Sequence, residues 1–231
     1  MNSAGDGGPE AWRPNPHDAA EPDVLDVLDK ISKTALGKRF YLAGGTGLAM
    51  QVGHRRSNDL GYFVESDRVD RQMVARNMER TFGPRLASPT LVEATQLDWA
   101  VGPRRRKVRF IAYPFRAARP LVAVEGQRCA DIVEIAAMKA YALGRRGTAR
   151  DYVDLDAVLS RGLTTIGEVV DVANTRFVLD GERVFSERLF LQQLVYSDDL
   201  PDQDDLPVSM GTVFASLREL VRAYVDRELP G

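Results

Sequence analysis

A glycine turn and a carboxylate thirteen positions beyond it are the first candidates for chemistry in this chain. Gly44-Gly45-Thr46 breaks the apolar run of residues 40–43; Leu48, Ala49 and Val52 then recur at helical spacing until Gly53. A glycine turn at a helix start offers free backbone N–H groups. Thr46 adds a hydroxyl that either contacts phosphate or caps the helix. Asp59 opens the next apolar run, Leu60, Tyr62 and Phe63, and could hold a magnesium ion against phosphates seated on the turn. Ser57 lies two residues earlier and shares a strand face with Asp59 if the strand reaches that far. Its hydroxyl could also accept a phosphate, setting negative charge beside the metal position. Two glycines alone say little, because any tight strand-to-helix turn favours them. The coupling to Asp59 is what narrows the reading.

The whole stretch, GGTGLAMQVGHRRSNDLGYF, resembles the first motif of the AbiEii/AbiGii-type nucleotidyltransferases. That family includes the MenT-like toxins that modify tRNA. A second match lies downstream in Met138-Lys139, Arg146-Gly147-Thr148 and Arg150-Asp151-Tyr152-Val153-Asp154-Leu155. Together the two motifs span about half the chain. The resemblance implies an α+β architecture, with a polymerase-beta-like nucleotidyltransferase core on a small mixed sheet and a C-terminal helical lobe. It also implies transfer of a nucleoside monophosphate from an NTP to the 3′ acceptor end of tRNA, with Mg2+ as cofactor and a cognate antitoxin as partner. In that frame Asp59 binds the metal, and Gly45, Thr46 and Ser57 meet the nucleotide phosphates. Lys139, Arg109 and Arg146 then meet the nucleotide and its developing charge. Asp151 and Asp154 lie three apart and project to one side of a helix. The split of roles that the motif suggests has Asp151 bracing the turn against an arginine, with Arg150 auxiliary. Asp154 then faces the site to orient or deprotonate the attacking hydroxyl.

Two departures from the family pattern matter. An Asp-x-Asp strand can grip two magnesium ions from one face, yet here the sequence reads Asp59-Leu60-Gly61. A third carboxylate is expected before an aromatic on a later strand, where this chain has Arg109 before Phe110. Glu93 or Asp98 could substitute from a neighbouring strand. Two explanations follow: an enzyme that uses one magnesium, with Arg109 and Lys139 covering the remaining charge, or a degenerate module that binds nucleotide or RNA without chemistry. A third reading is a nucleotidyltransferase acting on a small molecule such as an antibiotic.

The elements that must position these groups follow from periodicity and turn residues. Residues 1–21, rich in Gly, Pro, Ala, Asn and Asp, read as a loose tail, with His17 solvated in it. Residues 22–128 read as the sheet lobe and 129–231 as the helical lobe. Within the first, helices are expected from Asp23 to about Leu36 and over 68–82, strands over 86–113, and one strand over 120–128. Within the second, helices are expected from Asp131, over 151–160, around Val169, over 189–195 and over 214–225. His54 is read evenly as a substrate contact or a helix-end residue. Arg55 and Arg56 are read as a solvated pair or an attractor of triphosphate. The basic run Arg104-Arg105-Arg106-Lys107, with Arg109, Arg116 and Arg119, is either a solvated rim or an RNA track; Tyr113 and Phe115 are possible stacking faces. The acidic residues 198–205 read as a solvated connection or as a boundary that repels RNA.

Composition bounds the class. Apolar residues at 44% and charged ones at 28% are ordinary for a water-soluble globular chain of 231 residues. A net charge of −2 points to no nucleic acid by itself, so any such contact needs a local patch. The lone Cys129 excludes an internal disulfide. No apolar run approaches the roughly 20 residues of a membrane span. The N-terminus lacks a basic region followed by an apolar core, and the expected location is the cytoplasm.

Overall fold

Short apolar runs separated by turn glycines fold the first half of the chain into one seven-stranded mixed sheet. Capped amphipathic helices then build the second half. The structure, a computed structural model, describes residues 16–196, 200 and 206–228. The first part runs α1 (Pro16–Ala19), α2 (Pro22–Ser32), α3 (Ala35–Arg39), β1 (Tyr41–Ala43), α4 (Gly44–Val52), β2 (Leu60–Val64) and α5 (Arg71–Phe82). The rest of the sheet follows as β3 (Ala87–Val92), β4 (Gln96–Val101), β5 (Arg106–Ala112), β6 (Val122–Val124) and β7 (Gln127–Cys129). The helical part is α6 (Ile132–Arg146), α7 (Ala149–Ser160) and α8 (Ile166–Arg176), a small hairpin of β8 (Val178–Leu179) and β9 (Glu182–Arg183), then α9 (Glu187–Val195) and α10 (Met210–Glu228). The strand order is β3-β4-β5-β2-β1-β7-β6, with β2/β5 and β1/β7 parallel and the other neighbours antiparallel. This is the α+β architecture expected.

Helix starts follow capping chemistry. Asp70 accepts the Met73 N–H to open α5, and Asp131 accepts the Glu134 N–H to open α6. Thr148 and Asp151 form a capping box at the start of α7, so α7 begins two residues before the Asp151 start read from periodicity. Gly147 separates α6 from α7, which puts Arg146 and Arg150 on different helices.

Three expectations are corrected. The helix read from Asp23 to Leu36 is broken at Lys33 and Thr34, because Thr34 caps a new helix by accepting the Leu36 N–H. Residues 120–128 are a hairpin rather than one strand, turned at Glu125 and Gly126, both in the left-handed region. The N-terminal tail is shorter than read: Ala19 and Ala20 are fully buried, and the Ala19 carbonyl accepts the Ser57 N–H at 2.8 Å. Residues 1–15 of that tail lie outside the described residues, as does the acidic stretch 198–205 except Leu200.

The core is continuous from α2 through the sheet to α10. Its polar centre joins the two halves. The buried Glu134 of α6 pairs with the buried Arg176 of α8, accepts the backbone N–H groups of Ala118 and Arg119, and Arg176 donates to the Tyr41 hydroxyl on β1.

Candidate active site

Strand register assembles the floor of the site. Ala43 pairs with Gly61 across β1 and β2, Gly61 with Arg109 across β2 and β5, and Phe63 with Ile111 one step further along. The chain leaves β1 at Gly44, whose φ of 69° lies where side chains are disfavoured, and winds directly into α4. The end of α6 and the first turn of α7 close the other side. Between them lies a cavity of about 670 Å3, within the usual range for small-molecule sites. Asp59 and Lys139, eighty positions apart in sequence, both line it.

The cavity is strongly cationic. Arg55, Arg56, Arg109, Lys139, Arg146 and Arg150 line it, against the carboxylates of Asp59 and Asp151. Asp59 sits in the loop just before β2, is exposed, and makes no side-chain hydrogen bond or ion pair among the described residues. Asp151 is committed: one oxygen takes Lys139 Nζ at 2.8 Å, the other the Thr148 N–H and hydroxyl. Lys139 also reaches Asp154 at 2.6 Å. Burial opposes charge on the Lys139 ammonium, but Asp154 and Asp151 outweigh it and hold its pKa above the ordinary value.

Asp154 is the largest departure from expectation. Its side chain is fully buried and does not line the cavity. Arg55 grips it with two bonds, Nε to Oδ1 at 2.6 Å and Nη2 to Oδ2 at 2.9 Å, while His54 Nε2 lies 2.6 Å from Oδ1. Burial pushes this carboxyl up, but Lys139, His54 and Arg55 more than reverse that and hold it well below the usual range. Asp151 braces the turn as expected, but against Lys139 and Thr148 rather than an arginine; the arginine partner belongs to Asp154. Sequence reading missed the role of Arg55, and left His54 open, because the partner is 99 positions away.

The remaining candidates separate cleanly. Gly45 and Ser57 line the cavity. Thr46 does not: it is fully buried, donates to the Asp59 carbonyl at 2.6 Å and bonds the Ser57 hydroxyl at 2.8 Å. It fixes the glycine turn to the Asp59 loop from behind. Arg146 and Arg150 line the cavity as exposed side chains. Asp98, the possible substitute carboxylate, is buried opposite Arg109 and pairs with Lys107 at 2.9 Å, so it offers nothing to the cavity; Glu93 does not line it either.

The basic run is largely spoken for. Arg106 is held by both oxygens of Asp23, Lys107 by Asp98, and Arg119 by Asp131. Tyr113 and Phe115 pack edge-on in an aromatic cluster with Phe63 and Phe177 rather than offering faces to solvent.

Whether the donor set suits magnesium can be tested on these residues. No group of three or more His, Cys, Asp or Glu side chains able to hold a metal occurs among the described residues. A two-ion centre held by the protein therefore does not fit. A single ion carried in by nucleotide phosphates does, because magnesium keeps its waters and needs only one or two carboxylates beside the phosphate oxygens. Asp59 is placed to be that carboxylate.

Comparison with known proteins bears on the same residues. Residues 95–223 match the family model described as the nucleotidyl transferase AbiEii toxin of type IV toxin–antitoxin systems. That segment contains Lys139 and the Arg150-to-Asp154 motif but begins after the glycine turn and Asp59, which the fold brings to the same cavity. An uncharacterized protein of Aquifex aeolicus is 24% identical over 213 residues, 87% of this chain and 95% of its own length. The fold is similar to MenT4, a nucleotidyltransferase toxin from Mycobacterium tuberculosis, with a TM-score of 0.64 and 20% identity over 89% of this chain and 84% of that one. A Helicobacter pylori protein assigned as a nucleotidyltransferase gives a TM-score of 0.54 at 15% identity, over 87% and 92% of the two chains.

Proposed function

Because the chain belongs to the AbiEii family of nucleotidyltransferase toxins, we propose that its cavity binds a magnesium-loaded nucleoside triphosphate and passes the nucleoside monophosphate to a hydroxyl at the 3′ acceptor end of a tRNA. Such a transfer would block translation, and a cognate antitoxin would restrain it. One observation carries this reading: six cationic side chains and two carboxylates, of which Asp59 makes no side-chain bond among the described residues, line a single cavity in a protein whose net charge is −2. A cavity of that charge suits a polyanion far better than it suits a neutral sugar or peptide.

The chemistry needs little beyond positioning. The acceptor oxygen bonds to the α-phosphorus as the bond to pyrophosphate breaks, and the hydroxyl proton leaves to solvent. Phosphoryl-type transfers with loose transition states depend chiefly on alignment and charge stabilisation. Asp59 would hold the magnesium, which supplies positive charge on the phosphate oxygens. The backbone of Gly45 at the start of α4 would seat the terminal phosphates. Lys139 and Arg109 face the charge that develops, Arg109 beside Gly61 where a second carboxylate is absent. Arg146, exposed on the cavity wall, would meet the nucleotide, and Arg150 and Asp151 would support it.

No helix among the described residues is long and apolar enough to cross a membrane. The test is incubation with each labelled NTP, magnesium and total tRNA. The reading expects label on the RNA, lost in Asp59→Ala. Tight nucleotide binding with no transfer to any acceptor would select a binding module instead. Label on an aminoglycoside but not on RNA would select a small-molecule enzyme.

A further inference from the structure

We propose that Arg55 is the side chain that receives the terminal phosphates of the nucleotide at the glycine turn, and that Asp154 is a positioning residue that acts through Arg55. This rests on the nucleotide-binding reading above and adds a residue and a division of labour to it. Asp154 has about four lone-pair sites, and four groups occupy them: Arg55 Nε and His54 on one oxygen, Arg55 Nη2 and Lys139 on the other. Nothing is left to accept a proton from an attacking hydroxyl, and the side chain has no surface on the cavity.

Arg55 is the converse case. A guanidinium has five N–H groups in a fixed fork. Nε and one N–H of Nη2 go to Asp154, and one N–H of Nη1 goes to the Arg56 carbonyl at 3.0 Å. Two remain on a group that lines the cavity. The fork lies against the start of α4: a Cβ built on Gly45 would sit 2.5 Å from Arg55 Nη2. A side chain at position 45 would therefore displace the end of the guanidinium from its present seat. A charged fork, buried on one side and braced by a carboxylate, stands beside the unpaired N–H groups of a helix start. That is the geometry of an oxyanion clamp. The same grip by Asp154 on Arg55 and Lys139 fixes the spacing between the two cations.

The test is equilibrium binding to the full-length protein of the NTP it prefers and of the matching monophosphate, with magnesium. Arg55→Gln sets an amide donor near the position of Nε, where it can still bond Asp154, but removes the charge and both terminal amino groups. It is expected to weaken the triphosphate on the order of 10- to 100-fold and leave the monophosphate within about twofold. Arg55→Lys recovers part of the loss. Gly45→Ala, which leaves Asp154 untouched, weakens the triphosphate in the same selective way. Asp154→Asn, which loosens both Arg55 and Lys139, is expected to do so as well. Full triphosphate affinity in a folded Arg55→Gln variant would overturn the proposal. So would an Asp154→Asn variant that binds triphosphate as the parent does yet transfers nothing, because Asp154 would then act on the hydroxyl. A parent protein that binds no NTP would instead remove the nucleotide reading itself.

Discussion

At Gly61, where a second carboxylate is absent, the neighbouring side chain leaves little room for one. A Cβ at position 61 would lie 3.3 Å from Phe63 Cε2 and 3.4 Å from the Ala43 carbonyl, so the Phe63 ring occupies the approach an aspartate would need. Gly61→Asp alone is therefore expected to lower stability by about 1–2 kcal/mol, as overpacking does, and to give no gain in transfer rate. Unfolding and turnover of Gly61→Asp with and without Phe63→Leu check this: a rate gain in the single variant would show that the site is merely crippled. The buried charges make a second residue-level prediction. The Asp151 and Asp154 carboxyls are held low against their burial, chiefly by Lys139. Their contribution to stability is thus present above about pH 4, the unfolded value, and is lost as pH falls through the lower folded values. Lys139 is held high, so its contribution is complete below about pH 10 and is lost as pH rises through the folded value. Melting curves should be flat between those limits as far as this cluster acts, and Asp151→Asn should flatten the acid limb. An acid limb unchanged by that substitution would contradict the assignment.

At the level of elements, the site depends on ties made well away from it. Glu134 and Arg176 are both fully buried and join α6, which carries Lys139, to α8 and β1. Removing one partner leaves the other charge uncompensated, so Glu134→Ala should cost about 3–5 kcal/mol in denaturant unfolding. A cost under about 1 kcal/mol would show that the tie is dispensable. On the opposite edge, residues 19–21 clasp the Asp59 loop: Ala19 accepts the Ser57 N–H, the Glu21 N–H reaches Asn58 Oδ1, and Glu21 pairs with Arg56. Ala20→Glu at this buried position should speed hydrogen exchange at the Ser57 amide, and unchanged protection would remove the clasp from the account. Most of these elements could be read in advance because their signals are local. Gly44 and Gly53 bracket α4, Asp70 and Asp131 cap α5 and α6, and alternation marks β5. The Thr34 break and the Glu125-Gly126 turn were legible in principle, but apolar periodicity ran through both.

For the molecule as a whole, charge placement matters more than charge balance. A slightly acidic chain gathers six cationic side chains at one cavity, Arg55 and Lys139 held by Asp154, Arg56 by Glu21 and Arg109 by Asp98, and its densest basic sequence run is likewise mostly paired, to Asp23 and Asp98. Composition could not show the first, and linear clustering left the second open between a rim and an RNA track. What linear reading did find was the pair of motifs, because residue types at fixed spacing survive without knowledge of the fold. What it could not find was who faces whom. Asp154 is buried under Arg55 and His54, which lie about a hundred positions earlier in the chain. Such pairings exist only once the sheet and the helices have packed. The account's central claim is that Asp59 and Lys139 act on one triphosphate. A crystal of the protein with a non-hydrolysable NTP and Mn2+ in place of magnesium tests it most directly. The account predicts an anomalous peak at the Asp59 carboxylate, with phosphate oxygens bridging from it to Lys139 and the Gly45 backbone. A manganese ion and nucleotide bound anywhere outside that cavity would contradict it.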